Sequence, residues 1–250
     1  MPDWSWLVGL GLLGLVIGSF VATLVIRWPA GRSVIRGRSA CDGCGRVLSA
    51  WELVPLAAGL VRRGRCATCG AAIDPRHWQI EIGCAAIGVG SALAVQGLPA
   101  LAGAVFGWLL VALAALDIAA FWLPDRLTAT LAGSGVVVGL AGIPPDMTDR
   151  LVGGVAGFAI LWSIAAGYRW WRGREGLGGG DPKLLGAIGL WLGWRMLPFV
   201  PLLASLVGLA AVAAAMARGR RVAATDAMPF GALMAIAAYP LWLVMIGLAP

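Results

Sequence analysis

Two aspartates stand where an acidic side chain is unusual. Asp117 is the only charged residue in the apolar run 98–122, and Asp181 lies between three glycines and a second apolar run. An ionisable group at the centre of a membrane segment costs about 2.5–3.5 kcal/mol, so it usually serves a function. Two carboxyl groups brought together can share one proton, and one can then act as a base on water while the other donates to a carbonyl. The pair predicts aspartyl-protease chemistry, provided that the two segments are neighbours.

The two aspartates do not carry equal weight. Asp117 is too short to reach far toward the membrane surface, which favours a functional role. Asp181 could equally be a helix N-cap followed by Pro182 at the first helical position. A cap does not need the glycines 178–180 before it, and these permit a close backbone approach or an unusual turn. Asp125 is a rival first carboxylate, although its position just past the span, beside Arg126, is more typical of the N-cap of the next helix.

Four cysteines form a second chemical pattern. Cys41 and Cys44 make one C-x-x-C pair, and Cys66 and Cys69 make another, with 21 residues between the pairs. This spacing is typical of a four-cysteine zinc site, whose closed coordination shell indicates a structural role. Two disulfides are the alternative, but a reducing compartment disfavours them. His77 and Cys84 are expected to be an interfacial side chain and a packing residue.

We expect helices in a membrane to position these residues. Of the 250 residues, 60% are hydrophobic and 12% are charged, which disfavours a water-soluble fold. We predict an all-α polytopic bundle of about eight spans, with a small zinc-binding insert facing the cytoplasm. The predicted spans are 5–26, 79–96, 98–122, 127–143, 151–168, 182–194, 197–217 and 229–248. Three regions follow, namely a first transmembrane helix (1–28), the four-cysteine insert (29–78) and a seven-helix core (79–250).

The basic residues predict the orientation of these spans. Cytoplasmic loops hold the excess of Lys and Arg. If the N-terminus is outside, all but two of the 19 basic residues fall on the inner side, and the exceptions are Arg150 and Arg195. Both termini are then outside, both aspartates lie toward the cytoplasm, and the first segment remains as an anchor. The same asymmetry explains the net charge of +7 without nucleic-acid binding.

Several motifs, in order along the chain, resemble those of one enzyme family. They are GSFVATLVIRWP (18–29), GRSACDGC (37–44), RGRCATCGAAIDPRHWQIE (63–81), LDIAAFWLPDRLT (116–128), GGGDPKLLGAIGLWLGW (178–194) and PFGALMAIAA (229–238). Together they resemble the prepilin peptidases of type IV pilus and type II secretion systems, which are intramembrane aspartyl proteases of the GxGD kind.

This resemblance implies roles for particular residues. Asp117 and Asp181 match the catalytic aspartates, and the four cysteines match the zinc ligands. It also implies cleavage of the basic leader of a prepilin or pseudopilin after a glycine, at the cytoplasmic side of the bacterial inner membrane. In many members it further implies N-methylation with S-adenosylmethionine, although this chain departs from the family pattern in the first helix and insert, for example at Ala22 and Leu53.

Four further residues are supporting candidates. Gly178 and Gly180 belong to the glycine-rich motif, Lys183 could bias the charge of the aspartates, and Glu81 could meet a basic leader. Lys183 could equally be an interfacial anchor, and Glu81 could simply favour the helix dipole. Two other classes of protein compete with the peptidase: a proton-coupled transporter, and a zinc-bearing membrane scaffold whose acids are caps. The first would show two related halves, and the second leaves Asp117 without a role.

Overall fold

The computed structural model describes residues 4–34, 38–41, 43–56, 64–221, 223 and 227–248. Arg36, Arg62 and Arg63, which contribute to the predicted orientation, lie outside these residues. Within the described ranges the chain forms eight α-helices and one short 3₁₀ segment, Ala50–Leu53. The helices are α1 Trp4–Arg27, α2 Arg76–Ala94, α3 Leu98–Ala120, α4 Asp125–Leu140, α5 Met147–Arg172, α6 Asp181–Met196, α7 Phe199–Ala217 and α8 Phe230–Gly247. The all-α prediction is confirmed.

Five of these helices are long and apolar enough to cross a membrane. They are α1, α3, α5, α7 and α8. The helices α4 and α6 have 16 residues each, which at 1.5 Å per residue gives about 24 Å, less than the ~30 Å hydrocarbon core. The chain is therefore a helical membrane protein, and eight spans remain a prediction.

The chain divides into two compact units, Met1–Ala112 and Leu113–Pro250. In the first unit, α1 and α2 are in backbone contact through glycines. A methyl group on Gly14 would lie 2.4 Å from the carbonyl oxygen of Cys84, and one on Gly88 would lie 2.2 Å from that of Leu10. Small residues permit this close approach. Helices in lipid have no hydrophobic driving force for association, so close packing between them takes its place.

In the second unit, α5 and α6 pair in the same way. A methyl group on Gly189 would lie 2.2 Å from the carbonyl oxygen of Gly153. The opposite side of α6 is the core of the unit, where Leu184, Ile188 and Trp191 are fully buried. The indole N–H of Trp191 donates to the carbonyl of Leu131 on α4 at 2.8 Å. Helix α6 is thus fixed on two sides, which sets the position of its first residue.

Arg150 is a second fixed point in this unit. The orientation predicted from the sequence places Arg150 on the outer side, and its side chain is fully buried near the start of α5. Its guanidinium donates to carbonyls of α4 (Gly135), of the turn after α4 (Ile143, Pro144 and Pro145) and of α6 (Leu190), over 2.7–3.1 Å. Helix α6 breaks at Gly193 (φ 69°), and carbonyls at a helix end need donors from elsewhere.

Candidate active site and candidate metal centre

Asp117 and Asp181 are brought together at the ends of their helices. Asp117 lies in the last turn of α3, and Asp181 is the first residue of α6. They are 5% and 6% exposed. Both face Gly231 in the first turn of α8, where an added methyl group would lie 3.0 Å from Oδ2 of Asp117 and 3.1 Å from Oδ1 of Asp181. The two oxygens are therefore no more than about 6 Å apart, and one water molecule can reach both.

Each carboxylate is held by a backbone donor. The N–H of Ala232 donates to Oδ2 of Asp117 at 2.8 Å, and the N–H of Gly178 donates to Oδ2 of Asp181 at 3.1 Å. The first N–H groups of a helix have no helical acceptor, so the first turn of α8 is free to bind an acid. Because two close, buried carboxylates repel each other, we expect the pair to carry one proton.

The glycines before Asp181 permit a close approach of the backbone. None of residues 178–180 has a positive φ, so the turn itself is accessible to other residues. A methyl group on Gly180 would lie 2.8 Å from Cβ of Leu123, and one on Gly178 would lie 3.1 Å from Oδ2 of Asp181. Of the two explanations offered for the triple glycine, the structure favours close approach.

Asp125 and Lys183 form an ion pair beside the aspartates. Nζ of Lys183 lies 2.6 Å from Oδ1 of Asp125, and the two side chains are 47% and 73% exposed. Asp125 is the first residue of α4, and Pro124 occupies the N-cap position. The expected cap is therefore displaced by one residue. Asp125 differs from Asp117 in being exposed and already neutralised, which makes it the weaker candidate for catalysis.

Glu81 lies in the first unit, near the start of α2. It is buried, and its Oε2 accepts a hydrogen bond from the backbone N–H of Leu56 at 2.8 Å. Leu56 has a positive φ of 63°, which is uncommon for a residue with a branched side chain. Glu81 thus attaches the segment that follows the 3₁₀ turn to the α1 and α2 pair.

The four cysteines form one cluster. Their sulfur atoms all lie within 4.8 Å of one another, and Sγ of Cys41 is 3.8 Å from Sγ of Cys69. Four sulfurs at about 2.3 Å from a tetrahedral zinc ion are about 3.8 Å apart. The cluster therefore fits a metal ion of this size, as the spacing predicts.

The two C-x-x-C pairs share one local structure. In CDGCG (41–45) and CATCG (66–70), the N–H of the first cysteine donates to the carbonyl of the residue five positions later, at 2.9 Å in both. The closing glycine donates back to the first cysteine, and its φ is positive in each case, +69° at Gly45 and +71° at Gly70. An L residue rarely adopts this conformation, so glycine shapes both ligand loops.

The electrostatics of the cluster favour a bound cation. Backbone N–H groups of Cys69 and Thr68 lower the pKa of the Cys66 thiol to about 6. The pKa of Cys69 is raised to about 11, because burial and the other thiols outweigh the hydrogen bond from Ala71. Ionisation of one thiol therefore disfavours ionisation of the next, and a bound divalent cation would offset this repulsion between thiolates.

Known proteins resemble this chain in sequence over most of its length. Residues 12–95 match the bacterial peptidase A24 N-terminal domain, and residues 104–213 match the type IV leader peptidase family. A prepilin leader peptidase/N-methyltransferase of Burkholderia pseudomallei is 38% identical over 90% of this chain and 81% of its own length. Proteins of the same name from Aeromonas hydrophila and Pseudomonas aeruginosa are 38% and 34% identical, over 81% and 91% of this chain and 70% and 87% of their own lengths. No solved structure matches.

These similarities and the apolar helices define a class, the membrane-embedded leader peptidases. The chain belongs to the type IV leader peptidase family.

Three residues beside the aspartates were not predicted from the sequence. Gly231 and Ala232 lie in the PFGALMAIAA motif, which sequence analysis includes in the resemblance without a role. Leu123 lies in the LPD motif and contacts Gly180, just before α6, and Gly231, in α8. The sequence signal for Gly231 is a glycine that follows Pro-Phe at the start of an apolar helix, because a small residue there permits another segment to approach closely.

Proposed function

We propose that this protein is an aspartyl endopeptidase that cleaves the basic leader of a type IV prepilin or pseudopilin after a glycine. The observation that carries the proposal is the convergence of Asp117 Oδ2 and Asp181 Oδ1 on Gly231, with both side chains buried. The names of the relatives support the substrate class.

The chemistry follows from one proton shared by two acids. The ionised carboxyl removes a proton from a water molecule between the pair, and that water attacks the scissile carbonyl carbon. The protonated carboxyl donates to the carbonyl oxygen as negative charge develops there. Collapse of the tetrahedral intermediate then releases the leader with a free carboxyl group, and the leaving amine takes up a proton. The N–H groups of Ala232 and Gly178 hold the two acids in place throughout.

The four supporting residues named in the sequence analysis have different proposed roles. Gly178 and Gly180 provide a backbone donor and a close approach at Asp181. Lys183 forms an exposed pair with Asp125 instead of acting on the aspartates directly, and an exposed pair contributes little to stability. Glu81 orders the segment after the 3₁₀ turn. We extend the predicted division to function, with residues 79–250 as the peptidase core and residues 29–78 as the zinc insert.

We propose that Cys41, Cys44, Cys66 and Cys69 hold a structural zinc ion. When bound, zinc would supply four-fold cross-linking of an insert too small for a sizeable core. We also propose that the insert and the aspartates face the cytoplasm of a bacterial inner membrane and that both termini are outside. The distribution of basic residues supports this orientation.

N-methylation of the new N-terminus is a second proposed activity, with S-adenosylmethionine as methyl donor. Its support is the printed name of the relatives. In the described part of the first unit, Glu81 is the only buried charged side chain, and Leu56 already donates to it. We derive no step through the methyl donor.

The test uses purified protein in detergent with a synthetic prepilin. We expect Asp117→Asn and Asp181→Asn each to lower kcat by at least about 1,000-fold, since each variant loses one member of a unit that acts together. The matched control is Asp125→Asn, which removes an exposed acid from the same motif and should retain cleavage within about threefold. Retained cleavage in Asp117→Asn or in Asp181→Asn, or loss of cleavage in Asp125→Asn, would exclude this assignment of the catalytic acids.

A further inference from the structure

Leu123 lies beside both aspartates without taking part in their hydrogen bonds. Helix α3 ends at Ala120, and Phe121 takes a left-handed conformation (φ 49°) that turns the chain toward Pro124. The turn directs the half-buried Leu123 against two other segments. It contacts the glycine-rich turn before α6 and the first turn of α8.

The contacts are with Gly180, which precedes Asp181 in the chain, and with Gly231, which faces both carboxylates. A methyl group on Gly180 would lie 2.8 Å from Cβ of Leu123, and one on Gly231 would lie 2.7 Å from its Cδ1. The Gly231 position is also 3.0 and 3.1 Å from the facing oxygens of Asp117 and Asp181. The terminal methyl of Leu123 is therefore within about 6 Å of both acid oxygens, the range in which it would contact a bound peptide.

We propose that Leu123 is a specificity-determining residue, which limits the substrate to a very small residue on the leader side of the scissile bond. The inference rests on the proposed peptidase function. The attacked carbonyl must lie within hydrogen-bond reach of the acids, at about 3 Å. The Cα that carries this carbonyl then lies next to Leu123, Gly180 and Gly231, where a side chain would meet the leucine.

Both surrounding glycines support this role. They leave room for Leu123 itself, because a methyl group at either position would lie under 3.0 Å from it. The space is thus filled by one leucine side chain instead of being left to the substrate. A hydrophobic pocket distinguishes one methylene by roughly 10–200-fold, so a single leucine can set a strong preference.

The experiment compares prepilins that carry Gly, Ala or Ser at the leader side of the scissile bond. Single-turnover rates with excess purified protein make slow cleavage measurable. For the wild type we expect Gly to be cleaved at least about tenfold faster than Ala. Leu123→Ala should reduce this Gly/Ala ratio by about tenfold or more, mainly by accelerating the Ala substrate.

The matched control is Leu127→Ala, which makes the same truncation one helical turn later at another half-buried position. Its side chain is not among the atoms nearest to either glycine, so its Gly/Ala ratio should equal that of the wild type. Leu123→Val, which removes a single carbon, gives a smaller change in the same direction and serves if the alanine variant does not accumulate.

The outcomes distinguish a specificity role of Leu123 from a purely structural one. An unchanged ratio in both Leu123 variants, or equal losses on all three substrates, would show that Leu123 only supports the fold and would overturn the inference. An equal change in Leu127→Ala would also overturn it. Failure of the wild type to cleave the Gly substrate would instead contradict the proposed function itself.

Discussion

Gly231 is the residue on which the geometry of the aspartate pair depends most directly. It allows the start of α8 to approach both acids, and its neighbour Ala232 donates to one of them. A side chain here would compete for space with Leu123 and with the two carboxylates. Glycine in a helix costs roughly 1 kcal/mol relative to alanine, so this position carries a stability cost for the sake of the site.

We predict that Gly231→Ala lowers kcat by about 100-fold, because displacement of a reacting group by 1 Å can cost this much. The added methyl would lie 2.7 Å from the flexible end of Leu123 and 3.0–3.1 Å from the acid oxygens. The leucine can move aside, so the protein should still accumulate in the membrane. Cleavage of a synthetic prepilin is the measurement.

The control is Gly247→Ala, at the last residue of the same helix, where nothing lies within 4 Å of the added methyl group. This variant should retain the wild-type rate. Equal activity in the two variants would show that the approach of α8 to the aspartates is not required.

At the scale of residues, the sequence indicates which acids are candidates for catalysis but not which residues surround them. A charge in an apolar run is visible locally, and Asp117 is such a charge. Leu123 and Gly231 are unremarkable in their own segments, because their importance comes from contacts between residues that are fifty or more positions apart.

At the scale of elements, the two C-x-x-C loops are the clearest case of local sequence determining structure. Each has a cysteine pair, a closing glycine with positive φ and the same two hydrogen bonds. Such loops do not need a hydrophobic core, but they bring four thiols together that repel one another when ionised. Metal binding should therefore contribute to the folding of the insert.

We predict that Cys44→Ser reduces the bound zinc from about one ion per chain to less than half, because one of four ligands is lost. Elemental analysis of the purified protein is the measurement. Cys84→Ser is the matched control, since this cysteine is buried in α2 outside the cluster. Zinc retained in Cys44→Ser, or lost in Cys84→Ser, would contradict the four-cysteine site.

The helices themselves were largely predictable. All eight predicted segments overlap the eight helices of the described chain, because apolar runs bounded by charges and turns are a local signal. The burial of Arg150 was not predicted, since a charge near a helix end resembles a loop charge in any hydropathy profile. The carbonyls that surround it come from three segments, which the sequence does not bring together.

Arg150 should be worth far more to stability than an exposed arginine. We predict that Arg150→Leu lowers the apparent Tm in detergent by roughly 10 °C, from a loss of about 3 kcal/mol at 2–4 °C per kcal/mol. Arg150→Lys should recover little, because an ammonium group cannot match the fork of a guanidinium. Thermal unfolding followed by fluorescence of the tryptophans is the measurement.

The matched control is Arg195→Gln. Arg195 is 74% exposed and pairs with Asp149 at 3.2 Å, and exposed pairs contribute roughly 0–1 kcal/mol. Its apparent Tm should therefore stay within about 4 °C of the wild type. A similar loss in both variants would mean that the carbonyl contacts of Arg150 add nothing.

At the scale of the whole molecule, the two units correspond approximately to the two regions matched by family models, 12–95 and 104–213. Each unit contains a pair of helices in glycine-mediated backbone contact. Composition predicts the membrane class correctly, whereas the number of spans depends on short helices that composition does not resolve.

Orientation in the membrane is tested by thiol labelling. We predict that, after zinc is removed with a chelator, a membrane-impermeant maleimide labels Cys44 in inverted vesicles and not in spheroplasts, because the basic loops face the cytoplasm. Cys44 is exposed, and buried Cys84 serves as the internal control that should react in neither. Labelling of Cys44 from the outside would reverse the proposed orientation.

The hydrogen bonds from Ala232 and Gly178 to the acids come from the main chain. Replacement of side chains one at a time therefore leaves these donors intact, and an alanine scan would not detect them. Only proline removes such an N–H group, so the bond to Asp117 would persist with any other residue that the buried position 232 can hold. Part of this site is consequently set by the path of the backbone and not by the side chain at that point.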